Sequence, residues 1–364
     1  MSRRRWWGWK FLAWLIAIVL FLLLIVLPTA ITFVVKNSQT VPKQVADYLK
    51  FSEGVLYYAM LAFSALWVFF LGGTFASFLN VVAARIPQGG SILGSSHCPY
   101  CNVALTFRDN IPYWGWLKNW GRCSTCRLPI TARYLFVEIA LGVIFLGLTS
   151  MTLLTGGGTL PIREPFRIMM FSQMILEPQA DLAAILALQL LMLLGLFTFV
   201  LIELDRQRIP VSIWLTSIVF GLTALLIWPQ SLLVSWIYPV ADVELPMSLD
   251  LAAITALIGI AFGFFFGWML DVLLKEKIDA EKDGSVSQQP RTMRIAYGLS
   301  LVGLFAGWQS VVVVGTIYIF VRAVFVKFVS TDPKSYVSNM FWSPNAALLM
   351  AVLVHLASWR WMNF

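Results

Sequence analysis

The sequence is short of charge, and of acid above all. Asp and Glu number 18 in 364 residues, and charged residues together make up 12% of the chain, about half the ~25% of an ordinary soluble domain. So few ionic groups exclude most soluble enzymes and leave a short list of carboxylates for any acid–base chemistry. What fills the chain instead is apolar: 59% hydrophobic residues, a mean hydropathy of +0.81 and several long runs with hardly a charge. Bilayer, not water, is the solvent for most of these side chains. The 16 Trp fit rings anchored at membrane interfaces. A net charge of +8 would in a soluble chain point to nucleic acid. In a membrane protein Lys and Arg set topology, and no nucleic-acid partner is expected.

Hydropathy marks seven to nine spans, and basic residues orient them. The first, about Phe11 to Val35, follows Arg3, Arg4, Arg5 and Lys10 and reads as an anchor, its apolar run exceeding a signal-peptide core. A second, about Val55 to Ala84, leads into a loop carrying Arg85, Arg108, Lys118, Arg122, Arg127 and Arg133 against Asp109. That loop is expected in the cytoplasm. Further spans are expected at about Tyr134 to Leu154, Leu182 to Ile202, Val211 to Trp228, Leu251 to Leu274 and Pro344 to Trp361. The run Ile295 to Phe328 exceeds the roughly 20 residues of one span and reads as two short helices meeting near Gly307-Trp308. The fold expected is an all-α polytopic membrane protein of about nine helices.

All four cysteines lie in the basic loop, as Cys98-Pro-Tyr-Cys101 and Cys123-Ser-Thr-Cys126. Each pair can form a knuckle whose two sulfurs reach one ion, and four sulfur ligands suit a closed, structural zinc site. Two disulfides or four free thiols are the other readings; a reducing cytoplasm disfavours the first. His97 and His355 read as a surface and a packed histidine.

From Gly72 to Gly142 the sequence resembles the prepilin peptidases, polytopic aspartic proteases that cleave leaders from type IV prepilins and type II secretion pseudopilins. The residues that carry the resemblance are Gly73-Thr-Phe-Ala-Ser77-Phe-Leu-Asn80-Val-Val with Arg85-Ile-Pro87, the two cysteine pairs, Asp109-Asn110-Ile111-Pro112, Gly121-Arg122, and Ile130-Thr-Ala-Arg133-Tyr134-Leu-Phe-Val137-Glu138. Farther along, Ile209-Pro210, Gly303-Leu-Phe-Ala-Gly307-Trp308-Gln309 and Phe341-Trp-Ser-Pro344 are similar to the family's later segments. The resemblance implies a bacterial inner-membrane protein whose partners are prepilins or pseudopilins and the lipid bilayer. It also implies structural zinc and N-methylation with S-adenosylmethionine. No Gly-x-Gly-x-x-Gly fingerprint is present to name residues for that cofactor.

The catalytic positions depart from the family pattern. The acid placed seven residues before the Pro of the first motif falls on Glu203, with Asp205 as an auxiliary acid; the second aspartate falls on Ile295. Asp271 is the acid nearest in depth that could complete a pair, so Glu203, Asp205 and Asp271 are the candidate catalytic residues, with Asp279, Glu281 and Asp283 nearby. Arg294 cannot substitute, because a fixed cation neither shares a proton nor activates water. Asn80, Arg85 and Glu138 read as polar groups at span ends. The expected organisation is an added anchor and outer loop (1–54), an N-terminal region with the zinc loop at 85–133 (55–154), and a membrane-embedded peptidase-like part (155–364). Three functions follow: a divergent prepilin peptidase, a non-proteolytic relative keeping methyl transfer or substrate binding, and a structural component of pilus or secretion assembly.

Overall fold

The computed structural model describes residues 51–160, 179–232, 249–273, 293–328 and 343–359. The expected first span, Lys275 and the acids Asp279, Glu281 and Asp283, and Phe341-Trp342 lie outside them. Among the described residues the regular elements are helices, joined by short turns and two isolated bridges. These are α1 (Phe51–Arg85), α2 (Trp114–Lys118), α3 (Arg133–Thr149, prolonged by a π turn at Ser150–Leu154), α4 (Ala180–Leu204), α5 (Val211–Ile227), α6 (Leu249–Leu273), α7 (Arg294–Phe328) and α8 (Pro344–Ser358). Val68–Met170 and Glu177–Phe364 make one compact unit. Phe51–Trp67, the first half of α1, falls outside that unit.

Helices are the elements such a sequence permits, since lipid offers backbone N–H and C=O groups no partner and a helix satisfies them internally. Five are long and apolar enough to cross a membrane, namely Leu61–Gln88, Arg133–Leu154, Ala180–Leu204, Leu249–Leu273 and Arg294–Val324; α5 and α8 are shorter apolar helices. The chain is a multi-pass membrane protein. Turn chemistry sets the ends. α4 stops where Arg206 takes a left-handed φ of 55°, and Pro210 caps α5. Ser343 caps α8, accepting from the Ala346 N–H at 3.3 Å with Pro344 in the first turn.

The expectation of two helices in 295–328 holds. At Gly307 the backbone takes φ 78° and ψ 169°, a region essentially reserved for glycine, and the direction of α7 along α6 reverses there. Before it, Ala296, Leu299 and Gly303 pack on Gly267, Gly263 and Gly259 in turn, antiparallel. After it, Trp308 meets Phe262 with ring centroids 5.9 Å apart, and Gly315 packs on Phe266. The glycines of α6 fall four apart, a stripe of small residues that lets helix backbones touch. A Cβ on Gly303 would stand 1.9 Å from the Gly259 carbonyl oxygen, and one on Gly259 would stand 2.0 Å from that of Gly303. The hairpin thereby returns Tyr318 and Arg322 to the end of α6 from which α7 started.

Candidate functional site

The cysteine module is built twice from one local pattern. In the first knuckle the Asn102 N–H donates to the Cys98 carbonyl at 3.0 Å and the Cys98 N–H to Val103 at 3.0 Å; in the second, Arg127 donates to Cys123 at 3.1 Å and Cys123 to Leu128 at 2.9 Å. Asn102 and Arg127 hold matching left-handed φ values of 53° and 59°, and bridges at His97–Ala104 and Arg122–Pro129 close the two loops alike. Each knuckle turns its sulfurs toward the other. Cys98 and Cys126 Sγ are 3.8 Å apart and Cys101 and Cys123 Sγ 4.0 Å, with all four ligand atoms within 4.8 Å of one another. Thiolates ~2.3 Å from one tetrahedral ion would be separated by about 3.8 Å, so the donor set fits a single metal ion. N–H groups of Cys126 and Thr125 bring the Cys123 thiol down to about 6, while burial and the neighbouring sulfurs push the Cys126 thiol up to about 11. His97 stays outside the cluster, beside the Ser95 hydroxyl at 3.5 Å.

Asp109 joins the two knuckles without entering the metal cluster. Its carboxylate accepts from the Thr106 hydroxyl at 2.7 Å, the Asn119 amide at 2.9 Å and the Ser124 hydroxyl at 3.3 Å. The Thr106 hydroxyl foremost holds its pKa below the ordinary carboxylate value. Tyr113 then pins the module to the helices. It stacks on Phe69 with centroids 4.7 Å apart, donates to the Phe69 carbonyl at 2.7 Å, and lies against Gly73 and Gly142, where a Cβ would come within 2.2 and 2.4 Å of its hydroxyl. The Tyr113 N–H donates to Glu138 Oε2 at 2.7 Å. Read in the sequence as span-end groups, Asn80 and Glu138 are buried, with 7% and 8% exposure. Arg85 folds back onto the Ser91 and Ser95 carbonyls at 3.3 and 3.0 Å.

The three candidate carboxylates gather at the same end of the bundle. Arg133, which opens α3 directly after the module, grips Asp205 with both nitrogens, NH2 reaching Oδ2 at 2.9 Å. Two residues earlier, Glu203 Oε2 accepts from the Ser343 hydroxyl and from the Asn345 N–H at 3.0 Å, at the N-terminus of α8, while Arg294 stands 3.4 Å from Oε1. Asp271 Oδ2 accepts from the Ile295 and Ala296 N–H groups at 3.1 and 3.2 Å. Glu203 and Asp271 therefore bind consecutive residues of the first turn of α7, close enough to act on each other electrostatically, with Arg322 bearing on Glu203 as well. Ile295 is core, 3% exposed.

Residues 70–152 match the family model described as the bacterial peptidase A24 N-terminal domain. Over 82 residues the chain is 44% identical to a prepilin leader peptidase/N-methyltransferase of Myxococcus xanthus, covering 22% of this chain and 24% of that protein. Proteins of the same description from Klebsiella pneumoniae and Aeromonas hydrophila are 40% identical over 86 residues (22% of this chain, 38% of the relative) and 34% over 125 (28% and 42%). The chain thus spans between a quarter and two-fifths of these relatives' lengths. Over this segment it is similar to prepilin leader peptidase/N-methyltransferases, in the region where the sequence motifs resemble that family. No solved structure matches.

The matched segment holds the cysteine module, Tyr113, Asn80 and Glu138, and Arg133 links it to the carboxylate end. Sequence reasoning missed three participants: Tyr113 as the module's anchor, Ser343 as a partner of Glu203, and Arg322. Only Arg322 left a signal, a cation inside an apolar run, which by default marks a functional or paired position.

Proposed function

We propose that the chain processes the N-terminal leaders of type IV prepilins or type II secretion pseudopilins at the cytoplasmic face of the bacterial inner membrane, with structural zinc in the cysteine module. Support comes from the relatives' shared description and from one geometric observation: Glu203 and Asp271 flank a single helical turn at the end of the bundle that carries the matched segment. A prepilin would lie laterally against the bundle with its apolar helix in lipid and its basic leader at this acidic end. Glu203, with Arg294 3.4 Å away, would take a proton from water, while Asp271 would supply the proton-sharing partner that peptide hydrolysis needs. Asp205, held by Arg133, positions the end of α4. The zinc would hold the two knuckles together; four cysteine ligands leave it no open position for chemistry.

A second reading rests on the same cluster. Glu203 is engaged by the Ser343 hydroxyl, the Asn345 N–H and Arg294, and Asp271 by the Ile295 and Ala296 N–H groups, so both carboxylates serve to tie helix ends together. In this reading the leader is bound without being cut, and the chain serves N-methylation with S-adenosylmethionine or pilus assembly. Mass spectrometry of a purified prepilin incubated with the protein and S-adenosylmethionine separates them. Leader loss that disappears in Glu203→Ala and Asp271→Ala supports processing. A methyl group gained on uncut or pre-cut pilin, without leader loss, supports the second reading.

A further inference from the structure

The basic cysteine loop carries one stretch without charge. Residues 110–117 read Asn-Ile-Pro-Tyr-Trp-Gly-Trp-Leu, and Trp120 follows close behind. Two of these aromatic rings turn inward. Tyr113 docks on Phe69, Gly73 and Gly142, and Trp116 covers Gly121 and donates from Nε1 to the Ile130 carbonyl at 3.4 Å. Trp114 and Trp120 are left 59% and 73% exposed. Lys118, one turn from Trp114 along α2, is exposed beside it.

The Tyr113 contacts fix how deep this stretch lies. Gly142 is nine residues past Arg133 on α3, and Gly73 is twelve before Arg85 on α1. At 1.5 Å per residue, α2 therefore meets the two helices about 13 and 18 Å from those ends. Both contacts fall within segments long and apolar enough to cross a membrane. The ends themselves belong to the charged end of the bundle, where Arg133 holds Asp205. Between the two levels the exposed side chains include Phe75, Phe78 and Phe136, so the surface there is still one that lipid covers.

We infer that residues 110–117 form a re-entrant segment that enters the bilayer beside α1 and α3 from the side of the carboxylate end, and that the partner of its outward face is lipid. Trp114 and Trp120 pack at the boundary of headgroups and acyl chains, where amphipathic indole rings are favoured. Lys118 runs its stem along that face and keeps its ammonium among the headgroups. Asp109, the nearest acid, does not oppose entry, since its carboxylate is turned onto Thr106, Asn119 and Ser124. The backbone meets the demand of lipid for internal hydrogen bonds. The N–H groups of Trp114, Gly115 and Leu117 donate to the carbonyls of Pro112, Ile111 and Tyr113 at 2.6, 2.8 and 3.0 Å, and Trp120 donates to Leu117 at 3.0 Å.

The full chain, labelled with 5-fluorotryptophan, is placed in phosphatidylcholine nanodiscs, and the fluorine resonances of Trp114 and Trp120 are assigned with Trp114→Phe and Trp120→Phe. Both rings are exposed, so phenylalanine at either position leaves the packing intact. Doxyl-labelled lipid and a water-soluble gadolinium chelate then report which phase each ring faces. The doxyl lipid is expected to broaden both resonances at least twofold more than the chelate does. Equal or stronger broadening by the chelate would put the face in water and overturn the inference. Resonances that neither reagent broadens would mean that protein, such as a second copy of the chain, covers the rings, and would overturn it too. Neither leader release nor bound metal enters the readout, so the outcome is independent of the proposed processing.

Discussion

Asp109 is the residue whose charge most directly braces the cysteine module. Its pKa is lowered by the Thr106 hydroxyl first and by Asn119 and Ser124 besides, so its contribution is fully present above the ordinary carboxylate pKa of ~3.9 and is lost as pH falls through the lower folded value. Hydrogen exchange of the module's amides should therefore accelerate below about pH 4 in the wild type, and Asp109→Asn should remove that pH dependence. Metal content provides a second test. One zinc per chain is expected by elemental analysis, and Cys98→Ser or Cys123→Ser should lose it, since a structural site needs its full ligand set. The knuckles were legible because their chemistry is local: two cysteines a turn apart with a residue able to take positive φ after each pair. The contacts of Glu203 with Ser343 and of Asp205 with Arg133 were not, because they join residues 140 and 72 positions apart, and no spacing rule reaches that far. Glu203 itself was found through the family pattern, and Asp271 by its depth in the membrane.

Among the elements, the hairpin of α7 against α6 decides the architecture. The sequence placed its break at Gly307-Trp308 from length alone, and the described helix boundaries fall within a few residues of the apolar runs, since in a bilayer the runs and the helices are set by the same solvent. What the pattern did not carry was the partner. The glycines of α6 show a four-residue stripe, but only packing reveals that it faces Gly303 and Ala296. Gly307→Ala should cost about 1–3 kcal/mol, the strain of a side chain in a glycine-only region, and Gly303→Leu at least as much through overpacking. Thermal unfolding in detergent would show both. Gly147→Ala is the control, because a Cβ there meets nothing and alanine favours the helix by up to ~1 kcal/mol; its melting temperature should hold or rise.

For the whole molecule, the arrangement joins the segment matched by the A24 family model to the helix bundle at one end, through Arg133 and Asp205. If basic residues orient the chain as the charge rule requires, a membrane-impermeant thiol reagent should label metal-stripped Cys101 and Cys126 only in inverted vesicles. Labelling from the periplasmic side would reverse the topology. At that same end Glu203 and Asp271 share the first turn of α7, and the proposed processing stands or falls with them. The deciding measurement is the rate of leader release from a purified prepilin in proteoliposomes containing the wild-type chain, beside Glu203→Gln and Asp271→Asn. Release by the wild type that falls by about 10²-fold or more in each variant is expected; no release by the wild type, or equal release by all three, would contradict the assignment.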